Sequence, residues 1–466
     1  MKKEPLVILT ILLIIFAGIT VYCSYPDDGG WYLMAAEKIA SGKVPYRDFF
    51  FPQGPIMVYL YSFSASSDYP VIYGRIQSAV MSLIGLFCMA IVLVKRRKSL
   101  DSIILFLTGC ILYPLGMSFF FIVKTHSPVI MFFGFVFLAH YSNKKIFAGI
   151  FLVIISVIRV SMFPILILYV LWQFKTNKKG MFAVTIFFIL FWLSIYSFSE
   201  GKVIEHLFIP MKLISFNKVS VYFNSMKGNL SNTDIILRKF VLFGRGLIAF
   251  PFLFIAFFLK KDAVDWKFPL FTGILLSIIH LLPDRPYDEY FAVGFVLMMF
   301  AISLKVKMPL RLSKKMMISI LLISFIIPYS RIYSWSIKKN FQPYLPRLRK
   351  QVNYIDDIKS EKKWYILDCY IAIKSKKNIS SASGLGKFSF LSNAPDDFVD
   401  SIGIYNKHSL IETLKNNELQ GIYINDLSMG KDIILAILKQ NTSWKRKTIP
   451  EDIYPFSSQL WINKGL

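Results

Sequence analysis

Four cysteines in 466 residues are too few and too scattered to staple a fold. Cys23, Cys88, Cys110 and Cys369 form no CxxC pair, so the chain carries neither a disulfide framework nor a zinc signature. Internal repeats are missing too, which argues against the transporters built from inverted repeats. Acidic residues are scarce: 28 Asp and Glu stand against 54 Lys and Arg, for a net charge of +26. Much of that excess lies in short clusters between apolar runs, such as Lys95-Arg96-Arg97-Lys98, where it orients a protein in a membrane. No nucleic-acid partner is therefore expected. The glycines of residues 383–387 (SGLGK) lack the flanking context of a Walker sequence or a dinucleotide fingerprint.

What the chain has in abundance is long apolar runs. It is 55% hydrophobic with a mean hydropathy of +0.53, and a membrane helix needs about 20 mostly apolar residues. The first run, residues 6–22, has no small-x-small cleavage site after it and reads as an uncleaved span, with Lys2 and Lys3 holding the N-terminus in the cytoplasm. Further spans are expected at 71–94, 102–123, 128–141, 181–198, 241–259, 268–282, 290–304 and 316–333. The run 146–174 would be about 43 Å long as one helix, against a hydrocarbon core of ~30 Å. One crossing would also put the basic residues 175–179 opposite Lys144-Lys145. Two short helices broken around Arg159 and Pro164 remove both conflicts.

These spans give an α-helical polytopic membrane protein with about eleven transmembrane helices, residues 1–334, its tight basic loops all cytoplasmic. Residues 335–466 change character. A helix in 344–360, strands at WYILD, KFSFL and GIYIN, and helices at SLIETLKNNEL and KDIILAILKQ suggest a small extracytoplasmic α/β domain.

The first outer loop, residues 24–61, concentrates the chemistry. Asp27-Asp28 stands where span one leaves the lipid, and a carboxylate there either accepts a proton from an attacking hydroxyl, holds a metal, or caps the next helix. Arg75, Lys124, His126, Arg159 and Arg285 all fall at or near outer helix ends, a set of cations suited to an anionic phosphate on a lipid tail. Arg159 lies partway into the membrane, which marks it for function or for snorkelling to the surface. Tyr32, Tyr46, Asp48, Gln53 and Tyr287 are candidates for a substrate wall, although the aromatics also suit an interfacial belt. His280 with the carboxylates of PDRPYDE has no regular ligand spacing, so a divalent metal there is a minor alternative and no cofactor is required.

Asp27-Asp28, Trp31-Tyr32, Ile39, Gly42, Pro45-Tyr46-Arg47-Asp48-Phe49 and Gly54-Pro55, following a first span, resemble the polytopic GT-C glycosyltransferases. The protein O-mannosyltransferase and lipid A aminoarabinose transferase branches are the nearest in pattern. The resemblance extends to Arg75 and to the broken pair carrying Arg159. It implies transfer of a sugar, on the outer face of the plasma (inner) membrane, from a polyprenyl-phosphate donor to a hydroxyl on a glycan, lipid or protein. It also implies that Asp27 is the catalytic carboxylate. Asp28 occupies a position where those branches carry glutamate, and Phe51-Pro52-Gln53-Gly54-Pro55 replaces their His-Pro-Pro-like motif. The reaction expected is a single inverting displacement, the rival function being transport of a lipid-linked sugar.

Overall fold

The computed structural model describes residues 4–23, 29–96, 98, 100–112, 118–207, 266–281, 291–305, 344–359, 361–390, 394–424, 431–449 and 458–464. The expected spans at 241–259 and 316–333 lie outside the described residues, as do Asp27, Asp28, Arg285 and Tyr287.

The chain begins with α1 (Glu4–Cys23), α2 (Gly29–Ala40), α3 (Ile56–Ala65) and α4 (Pro70–Lys95). Helix α2 stops at Gly42, whose φ of 84° only glycine adopts without strain. Helix α3 was not foreseen: IMVYLYSFSA has no polar face to give it a period, yet Pro55 fixes its entry. Helix α4 shows why the chain belongs in lipid. Its inner face buries Gly74, Arg75, Ser78, Ser82 and Gly85, while Tyr73, Ile76, Val80, Ile84, Phe87 and Ile91 point outward at helical spacing. Small and polar residues inside, with apolar ones outside, is the pattern of a helix packed in a membrane.

Next come α5 (Leu100–Leu112) and α6 (His126–Tyr141). The unbroken span expected over 102–123 is corrected here. The described helix runs to Leu112, and Ser118–Phe120 forms a separate 3-10 turn. The carbonyl oxygen of Phe120 accepts from Ser82 Oγ (2.6 Å) and Ser127 Oγ (2.9 Å), so side chains satisfy backbone that a helix would have paired. Helices α4 and α6 cross where Gly85 meets Gly134: a Cβ on Gly134 would stand 2.5 Å from the Gly85 oxygen.

The long apolar run folds as α7 (Lys145–Ile158), one 3-10 turn (Val160–Met162) and α8 (Phe163–Phe174). Arg159 is extended (φ −144°, ψ 107°) and Pro164 sits in the first turn of α8, where its missing N–H costs nothing. The hairpin closes on itself. Lys145 Nζ donates to Thr176 Oγ1 at 3.3 Å, and the Tyr169 hydroxyl donates to the Lys145 oxygen at 3.4 Å. Helix α9 (Lys178–Phe198) follows, with Phe182, Ile189, Leu190 and Leu193 about half exposed or more, a surface that water would not tolerate over such a length. Then come α10 (Lys267–Leu281) and α11 (Ala292–Lys305). Among the described residues, α4 and α9 are the helices long and apolar enough to span a bilayer under a strict length test; the others are shorter apolar pieces.

The C-terminal part runs α12 (Tyr344–Asp356), β1 (Lys363–Ile366), α13 (Cys369–Lys374), α14 (Asp396–Ile402), α15 (Lys407–Lys415), β2 (Leu419–Ile424), α16 (Lys431–Gln440), β3 (Trp444–Lys447) and β4 (Gln459–Asn463). The sheet has the order β1-β2-β4-β3, parallel between β1 and β2 and antiparallel elsewhere. KFSFL is not a strand: Ser381–Phe388 is a 3-10 helix, and only Phe390 makes an isolated bridge, to Tyr405. Ser383 Oγ accepts from the Ile366 N–H, which pins this segment across the edge of β1. One face of the sheet buries Tyr365, Ile422, Ile424 and Trp461 under α15 and α16. Trp364, Ile366 and Tyr370 instead join the core of the membrane helices, so the two parts share packed side chains.

Candidate active site

The described residues that flank the acidic pair are held in a tight junction. A Cβ on Gly29 would stand 2.9 Å from the Val123 oxygen and collide with the Tyr370 hydroxyl; one on Gly30 would stand 2.7 Å from Cys369 Cβ. Only glycine lets the start of α2 approach both the 123–124 turn and α13 this closely. Gly74 completes the junction, with Val123 Cγ2 and Leu33 Cδ2 each 2.9 Å from where its Cβ would be.

Four of the five expected cations are described, and they gather around this junction. Arg75 is fully buried; its Nη1 donates to the Val21 oxygen at 3.0 Å, and its guanidinium carbon lies 5.7 Å from the centre of the Tyr370 ring. The acceptor is one of the last carbonyls of α1, where partial negative charge collects. Lys124 is buried with Nζ 4.8 Å from the Phe119 ring centre. Next to it, His126 Nε2 lies 3.2 Å from Arg159 Nη1. A guanidinium only donates, so Nε2 accepts and the ring is neutral in this arrangement. Arg159 also reaches Ser161 Oγ (3.2 Å) and Thr125 Oγ1 (3.4 Å). Burying several cations in an apolar bundle is costly, and such groups are kept where they meet a charge or a pathway.

The aromatic-proline turn forms the next wall. Tyr46 has a φ of 70°, and its hydroxyl donates to the Gln53 oxygen at 2.5 Å, closing the 46–53 loop. Arg47 grips Asp48 through two contacts of 2.8 and 3.0 Å, while the Val44 N–H donates to Asp48 at 2.7 Å. These bonds, with Arg47 first, lower the Asp48 carboxyl to about 2. At Gly54 any side chain would collide with the Val157 oxygen, so the turn is seated on the last residues before Arg159.

A cavity of about 360 Å³ opens between this loop, the segment after α9 and the C-terminal domain. Trp31, Tyr46, Asp48 and Phe51 line it from the first outer loop, His206 from beyond α9, and Asp400 and Ser401 from α14. Burial pulls His206 down to about 4, with Glu205 raising and Lys202 lowering it, so its imidazole is neutral near physiological pH. Burial also lowers Lys38 on the same wall, and Lys43 adds to that effect. Of the expected wall residues, Tyr46 and Asp48 face the cavity. Tyr32 packs behind it, stacked at 4.2 Å on Trp31, and Gln53 serves the loop through its carbonyl.

Sequence reasoning missed Tyr370, His206 and Asp400. Tyr370 gives no signal, because only the docking of α13 brings it to Arg75. His206 does leave a trace: it lies eight residues past the end of α9, in a polar stretch that the basic-loop rule already puts on the outer side.

No protein-family model and no curated protein matches the sequence. Among solved structures, the chain resembles ArnT from Cupriavidus metallidurans bound to undecaprenyl phosphate, with a TM-score of 0.51, 10% identity, and coverage of 100% of this chain and 98% of that one. The same protein in its apo state aligns at a TM-score of 0.48 and 11% identity, covering 98% and 97% of the two chains. The mostly helical fold expected from the sequence, with its small C-terminal sheet, is thus shared over the whole chain with a solved structure.

Proposed function

We propose that this chain is an integral-membrane glycosyltransferase. It moves a sugar from a polyprenyl-phosphate donor to an acceptor hydroxyl on the outer face of the membrane, with inversion and with Asp27 as general base. The observation that carries this reading is the junction: Gly29, Arg75, Val123-Lys124 and Tyr370 meet at the foot of α2, beside the acidic pair in sequence. Consecutive Cα atoms are about 3.8 Å apart, so the chain itself keeps Asp27 and Asp28 close to Gly29. The fold likeness supports the donor class, since the ArnT structure it matches holds undecaprenyl phosphate.

In the proposed step, the acceptor oxygen forms a bond to the anomeric carbon as its proton passes to Asp27. The bond between that carbon and the phosphate oxygen breaks on the opposite side, and its electron pair leaves with the polyprenyl phosphate. Negative charge grows on that phosphate, and Arg75, Lys124 and Arg159 are the cations proposed to stabilise it. Neutral His126, already accepting from Arg159, orients that guanidinium rather than adding charge. Asp28 supports the base, and Arg285 is proposed as a further phosphate contact.

Turnover of a radiolabelled polyprenyl-phosphate sugar by the purified full-length protein tests this reading. Release of free polyprenyl phosphate with label on an acceptor is expected. Label that only changes sides of a vesicle, still attached to its lipid, would favour a lipid-sugar transporter instead.

A further inference from the structure

The cavity beside α2 takes no part in the displacement as written, yet its lining is specific. Three cations (Lys38, Arg47, Lys202) are balanced by three carboxylates (Asp48, Glu205, Asp400), and His206 is neutral. A strongly charged ligand of either sign gains nothing net there, and a lipid chain would have to desolvate all six groups. Two polar atoms of the lining, Trp31 Nε1 and His206 Nδ1, are shielded from solvent and have no hydrogen-bond partner among the described residues. The His206 residue is only 5% exposed. An indole N–H donates only, whereas a neutral imidazole nitrogen donates or accepts according to its tautomer. Two such groups, beside the partly exposed rings of Trp31 and Phe50, match a ring that is apolar on its face and hydroxylated at its rim.

We infer that the cavity is the acceptor subsite and takes a neutral sugar residue at the end of a glycan. A small rotation of the Trp31 and His206 rings brings their shielded nitrogens to its hydroxyls, and the half-buried Phe50 ring forms part of the wall. The word acceptor rests on the proposed function; the sugar site does not. At about 360 Å³ the cavity lies at the low end of ligand sites, which run from about 300 to 1,000 Å³, so it suits a glycan terminus rather than an extended acceptor. Its place fits the reaction, because Trp31 is in the first turn of α2, two residues beyond Gly29 and three beyond Asp28. The inference also gives the C-terminal domain a task, since Asp400 and Ser401 close the cavity on one side.

Saturation-transfer NMR on the full-length protein in detergent, with cellobiose, lactose and chitobiose as probes, tests the site without any donor. Saturation of the ring protons of at least one disaccharide is expected. It should fall roughly tenfold in Ser401→Trp, which fills the mouth from an exposed position, and in His206→Ala. No transfer to any of the three, or an equal signal in wild type and Ser401→Trp, overturns the site. Disaccharide binding by a protein that turns over no lipid-linked sugar would refute the reaction and leave the sugar site standing.

Discussion

His206 carries its cost in its protonation. In the fold its imidazole titrates at about 4, against 6.5 in an open chain, because burial disfavours the cation. Glu205 opposes that effect and Lys202 adds to it, while Tyr46 and Phe50 pack against the ring at 5.8 and 5.1 Å and Asp400 and Lys38 share the cavity. The group is depressed in the folded state, so the unfolded chain takes the proton first. Its contribution is whole above about pH 6.5, is lost as pH falls towards about 4, and is flat below. Melting temperatures between neutral pH and about 4.5 should therefore fall more steeply for the wild type than for His206→Gln, by roughly 2 °C. Parallel curves would show that the imidazole is not buried as described.

At the scale of elements, the hairpin of α7 and α8 holds Arg159 in place, and the 52–55 turn is wedged against its bend. Gly54→Ala puts a methyl group into the Val157 oxygen, and the backbone on both sides must move. Overpacking of this kind costs about 1–3 kcal/mol, so a lower melting temperature and weaker donor turnover are expected together. An unchanged melting temperature would mean that the turn does not rest on α7. The break itself was legible, because a run about 43 Å long cannot be one helix in a core of ~30 Å. The spans of α1, α4, α6 and α9 were legible for the same reason of length and hydropathy. Helix α3 was not, since its tyrosines and serines fall on the buried side (Tyr61, Ser64) as well as the open one (Tyr59, Ser62) and leave no polar period, and KFSFL misled because its alternation suits a strand until Ser383 caps Ile366. The junction was half legible. Arg75 and Arg159 stood out as charges in apolar runs, but Tyr370 lies almost three hundred residues from Arg75 and meets it only through tertiary docking.

Across the membrane, the proposed site requires the hairpin to return the chain to the side it left, so that the acidic pair, the cations and the C-terminal domain share one face. Lys145 and Thr176 meet at 3.3 Å, so reporters fused at Asn143 and at Lys175 should both read as cytoplasmic. Opposite readings would split the site across the membrane. If the faces agree, the chemistry reduces to one carboxylate. The most direct measurement is transfer from a labelled polyprenyl-phosphate sugar by purified Asp27→Asn beside the wild type, with donor binding measured on both. Loss of a positioned base should cut transfer by about 10²–10⁴-fold while donor binding stays near that of the wild type. Transfer at the wild-type rate by Asp27→Asn would show that Asp27 is not the base.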